Sequence, residues 1–82
     1  MSIRDKFKYG DIVKTNNHIL MVDYFDDRTG TMLCYTQLAY NLKDNTILTY
    51  DGVPMDGMRF ATKNEKETLA QVASIIGLTI IY

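Results

Sequence analysis

The sequence predicts a mainly β domain, α+β by content: a small antiparallel barrel or curled meander sheet, with one C-terminal helix packed on it and a short terminal strand. HILMVDYF at 18–25 and TMLCYTQLAY at 31–40 are nearly continuous apolar runs, rich in β-branched and aromatic residues and free of helix caps. That is the pattern of buried strands. Turn-forming residues separate the runs at short intervals, and only after Thr62 do apolar residues recur at helical spacing.

In chain order, DIVK at 11–14 is a short strand, and Thr15, Asn16 and Asn17 form the turn into the first long run. Asparagine tolerates left-handed backbone better than most residues. DDRTG at 26–30 offers an Asp to start a turn and a glycine for positive φ, so the two long runs are expected to pair antiparallel. Lys43, Asp44 and Asn45 make the next turn, before a fourth strand at 46–50 in which Leu48 and Tyr50 alternate with Ile47 and Thr49. DGVPMDGM at 51–58 holds two Asp-Gly pairs and the only proline, Pro54, and reads as the longest loop. A brief fifth strand is expected at 58–61.

Thr62 and Glu65 then have the spacing of a capping box. Leu69, Val72, Ala73 and Ile76 share one helical face, and Gly77 stands where a left-handed residue ends a helix. LTIIY at 78–82 has strand composition, and it either closes the barrel or remains an open edge.

A chain of 82 residues is expected to form a single domain, 1–82, because a body of this size buries only about 60–65% of its unfolded surface and supports one core. Hydrophobic residues make up 46% and charged residues 23%, inside the range of folded domains. The net charge of −1 gives no long-range attraction for a phosphate backbone. Cys34 is the only cysteine, so an internal disulfide and a cysteine metal site are excluded and a reducing compartment fits best. With no apolar stretch of about 18 residues and no apolar core in MSIRDKFKYG, the expected location is the cytoplasm, with no membrane partner.

FKYGDIVK, followed by a polar turn and HILMVDY, resembles the first hairpin of SH3-like small barrels. RFATKNEKETL at 59–69 resembles the end of short phage and prophage proteins, especially of gut bacteria, where a short strand passes through Ala-Thr into an acidic helix. The two stretches cover about a third of the chain. The resemblance implies a fold and a mobile-element setting, and it transfers no active residue.

Candidate chemistry is sparse. His18, the only histidine, has no cysteine or acidic residue beside it and reads as a solvated turn residue. Cys34 lies among Met32, Leu33 and Tyr35, surroundings that bury a thiol and raise its pKa. The acidic residues in FDDR and YDGVPMDG lack the alternating spacing of a calcium loop, and Asp51 and Asp56 match turn chemistry. No catalytic residue, metal ligand or cofactor is therefore assigned, and the chain is read as a non-enzyme.

Six tyrosines and three phenylalanines are a heavy aromatic load, and strand alternation is expected to send some of Tyr24, Phe25, Tyr35, Tyr40 and Tyr50 to the solvent face as binding residues. A protein-binding module follows as the leading expectation. The alternative is a single-stranded nucleic-acid module stacking bases on tyrosines beside Lys6, Lys8, Lys14 and Arg28. A further alternative is a homodimer through residues 78–82, from Leu78 to Tyr82.

Overall fold

The computed structural model describes residues 6–28, 30 and 32–80. Among them six strands form one sheet: β1 (Ile12–Lys14), β2 (His18–Asp26), β3 (Leu33–Asn41), β4 (Thr46–Leu48), β5 (Gly52–Pro54) and β6 (Arg59–Phe60), followed by helix α1 (Lys63–Ile75). The order across the sheet is β4-β3-β2-β1-β6, with β5 also paired to β3 beside β4, and every pairing is antiparallel. The end strands β4 and β6 do not pair, so a closed barrel is not formed over the described residues.

Both faces of this sheet are covered, which is why its long strands lack a clean apolar and polar alternation. One face gathers Phe7, Val13, Leu20, Val22, Cys34, Ala39 and Val53, with Phe25, Leu48, Met55 and Met58 against them. The other packs Ile12, Ile19 and Leu38 against Ala61, Leu69 and Ala73, with Met21, Tyr40, Ile47 and Ile80 around them. These are called the inner face and the helix face below. Cys34 sits deep in the inner face, and burial pushes its thiol up to about 12, which keeps it protonated and unreactive at neutral pH.

The β2–β3 hairpin carries two opposed irregularities. Met21 pairs with Leu38, Val22 with Thr36 and Tyr24 with Tyr35, so Gln37 on one strand and Asp23 on the other have no partner. These are β-bulges, and the offset introduced by one is cancelled by the other. Val22 and Phe25 both point to the inner face, so Asp23 and Tyr24 between them both lie on the helix face. Thr36, fully buried, and Ala39 bracket Gln37 and Leu38 in the same way. Gln37 Nε2 donates to the Val22 carbonyl at 3.1 Å, and that carbonyl also accepts the Gly10 amide at 2.9 Å, which fixes the bulged region.

Helix α1 begins and ends as its sequence dictates. Thr62 Oγ1 accepts the Glu65 amide at 3.3 Å and Glu65 Oε1 accepts the Thr62 amide at 2.8 Å, closing the capping box. Arg59 grips the same carboxylate at 2.8 and 2.9 Å and holds its pKa down to about 2, tying β6 to the helix start. Past the C-cap residue Ile76, Gly77 has φ of +82°, with its amide donating to the Ser74 carbonyl and the Leu78 amide to the Ala73 carbonyl. This Schellman closure turns the chain back toward the sheet. Leu69, Val72 and Ala73 are buried, whereas Ile76, expected on the same face, is 41% exposed because the helix has already ended there.

Three sequence expectations need correction. The loop at 51–58 contains a strand: β5 pairs Gly52, Val53 and Pro54 with Tyr35, Cys34 and Leu33, and Pro54 is tolerated because β5 lies at an edge. The terminal strand is not formed over residues 78–80, and Ile81 and Tyr82 lie outside the described residues. His18 is not a solvated turn residue, being only 8% exposed. Its amide donates to Thr15 Oγ1 at 3.2 Å, and its carbonyl accepts the Thr15 amide at 2.9 Å. Among the described residues its ring has no hydrogen-bond partner, and it borders a polar cleft of about 80 Å³ with Asn16, Asn17, Pro54 and Asp56.

Burial lowers the His18 pKa below its ordinary 6.5, with Asp44 partly opposing and Lys14 assisting. The fold therefore favours neutral imidazole, and the unfolded chain takes up its proton first as pH falls. Stability contributed by this ring is complete above pH 6.5 and declines as the pH falls from there toward the depressed folded value. Unfolding midpoints measured between pH 7.5 and 5.5 are expected to fall with pH, and His18→Gln to flatten that slope. An unchanged slope in the variant would assign the dependence to other groups.

Candidate functional site

Two aromatic features occupy the helix face beyond the helix itself. The first is an open groove of about 600 Å³ lined by Tyr9, Gly10, Met21, Gln37, Leu38, Tyr50, Leu78, Thr79 and Ile80. Its floor comes from the bulged part of β2 and β3, because the bulges turn Gln37 and Leu38 to the same face as Met21. One wall is the segment returned by the Schellman closure. Tyr9 and Tyr50 are the rim, at 72% and 73% exposure. No charged side chain lines the groove.

Tyr50 is held at φ of +57°. That left-handed conformation costs a side chain with a Cβ roughly 1–2 kcal/mol and is uncommon for a bulky aromatic residue. Since Tyr50 is also exposed, its side-chain packing does not offset the cost, and strain of this kind concentrates at functional positions.

The second feature is a stack. Tyr24 and Tyr35, paired across β2 and β3, have ring centroids 4.8 Å apart and planes 2° from parallel. On its other side Tyr35 lies against Gly52, where an added Cβ would stand 3.3 Å from Tyr35 Cζ. Glycine at that position lets the ring lie close, since a Cβ would push it away by a few tenths of an ångström. Arg28 lies near both tyrosines but is committed to Asp26, with Nε and Nη2 bonded to the carboxylate at 2.6–3.0 Å.

The five tyrosine and phenylalanine positions expected to bind thus take four different places. Tyr24 and Tyr35 form the stack, and Tyr50 rims the groove. Phe25 packs on the inner cluster, and Tyr40 packs on the helix-face cluster while its hydroxyl donates to Asn45 Oδ1 at 2.9 Å. Tyr9, Met21 and Leu38 are groove residues that sequence reasoning missed, and Leu78 and Ile80 were expected only as part of a self-associating strand, because strand periodicity says nothing about a surface assembled from a turn, a bulge and a chain end.

Three of the four cations expected beside the tyrosines, Lys6, Lys14 and Arg28, have contacts of their own. Lys14 Nζ donates to the carbonyls of Thr15 and Asn16, and Lys6 stands 5.3 Å from the Phe7 ring centroid. Among the described residues no three His, Cys, Asp or Glu side chains are grouped to hold a metal ion, and no helix is long and apolar enough to cross a membrane. Comparison with family models, with curated proteins and with solved structures gives no match.

Proposed function

We propose that the chain is a non-catalytic protein-binding module that recognises its partner through the groove on the helix face. The observation that carries this reading is a groove without charged side chains, with Met21, Leu38, Leu78 and Ile80 in its lining, rimmed by two tyrosines that are largely bare, one of them strained. Interface cores favour Tyr and Met and shed charge, and a groove of this shape suits an apolar peptide segment. The non-catalytic part of the proposal rests on the two reactive side chains, since Cys34 is a buried thiol and the His18 ring touches no hydroxyl or carboxylate by hydrogen bond among the described residues. Reading the curled sheet as SH3-like, and the setting as a phage or prophage protein in the bacterial cytoplasm, belongs to the same proposal. It is supported by the opening hairpin and the Ala-Thr helix start.

A photo-crosslinking residue at Tyr50 in the intact chain, mixed with a bacterial lysate, is expected to yield a discrete adduct with another protein that the same probe at exposed Lys43 does not. Tyr50→Asn, which suits left-handed backbone, is expected to keep or slightly raise stability while a probe at Tyr9 loses its adduct. Identical adduct patterns at Tyr50 and Lys43 would overturn the proposal. An adduct with a second copy of the chain would reassign the groove to self-association.

A further inference from the structure

The stack ends in an open ring face. Gly52, Tyr35 and Tyr24 come from β5, β3 and β2 in that order, so each side of Tyr35 is occupied and Tyr24 is the last member. Tyr24 is 47% exposed, and among the described residues no further ring stacks on it and no cation sits over its face, Arg28 nearby being bonded to Asp26. A planar group is the natural next member of the column.

Charge selects which planar group. The bulge sets Asp23 on the same face as Tyr24, and Asp23 has no ion pair among the described residues. Residues 15–42 contain no lysine and a single arginine, Arg28, so the carboxylate beside the ring, Asp23, has no cation from its own hairpin paired with it. That arginine is already bonded to Asp26. A phosphate-bearing base would meet repulsion here, whereas a guanidinium gains both the ring face and a carboxylate. Arginine suits this geometry better than lysine because its flat, delocalised head stacks on a ring while its edge donates to an acid.

We infer that Tyr24 with Asp23 is a seat for an arginine side chain carried by the protein partner. The inference rests on the protein-binding reading and adds a residue type to it: the partner segment presents apolar groups to the groove and an arginine to the stack, both on one sheet face.

The test titrates the isotope-labelled full chain, followed by NMR, with acetyl-Gly-Arg-Gly-amide, its lysine counterpart and a short oligothymidylate. Saturable shifts confined to Asp23, Tyr24 and Tyr35 are expected at millimolar arginine peptide, with lysine weaker by about two- to five-fold, the size of an exposed cation–π contact. Tyr24→Ser is expected to abolish saturation. Asp23→Asn, which leaves the stack intact, is expected to weaken binding by about two- to five-fold, as loss of an exposed charge pair would. Absence of saturation, equal response in Tyr24→Ser, or tighter binding of the oligonucleotide would each overturn the inference. Failure here with the Tyr50 adduct retained removes the arginine seat alone, and loss of the adduct with saturation retained removes the groove.

Discussion

Leu69→Ala is expected to lower the free energy of unfolding by about 3 kcal/mol, within the range for truncating a buried leucine. Leu69 is fully buried and is the largest side chain by which α1 is held to Ile12, Ile19 and Leu38. Against a total of roughly 4–12 kcal/mol for a chain of this length, that loss is severe. Urea titration should show a lower midpoint with the slope preserved. A loss below about 1 kcal/mol would mean that the helix contributes little to the core. Because the helix also delivers Leu78 and Ile80 to the groove, the same substitution is expected to reduce the Tyr50 adduct under conditions where the sheet remains folded.

Thr36→Val is expected to act in the opposite direction. Thr36 is fully buried and its hydroxyl is unpartnered among the described residues, although its amide donates to the Asp51 carbonyl at 3.0 Å. Valine keeps the branched shape, fits a strand equally well, and removes the cost of burying an unsatisfied hydroxyl. An increase in unfolding free energy of about 1–2 kcal/mol is expected, read from the same titration. An unchanged or lower midpoint would show that the hydroxyl has a compensating role.

Local signals in the sequence are legible where one residue determines one geometry. Thr62 with Glu65 fixed the helix start, Gly77 its end, and Asn45 with φ of +56° the turn before β4. Positions whose environment comes from distant segments were less legible. The run at 18–25 is apolar on both faces, so its period is silent and the bulge at Asp23 leaves no trace in it. Pro54 argued against a strand, yet an edge location makes it harmless. His18 looked like turn material because the residues that enclose its cleft, Pro54 and Asp56, arrive from nearly forty positions later.

Of the candidate site, Tyr24, Tyr35 and Tyr50 were recognisable as surplus aromatic surface. Their division into a stack and a rim was not, since it depends on Gly52 and on the returned chain at Leu78.

The short outer strands carry a consequence for behaviour at high concentration. On one side of β3 the boundary is divided between three residues of β4 and three of β5, the latter ending in a proline, and on the far side β6 contributes only two. No continuous ribbon of spare amide and carbonyl groups is long enough among these strands to recruit a neighbour into a growing stack. At these outer strands, among the described residues, edge pairing with a neighbouring chain is therefore limited to two or three residues at a time.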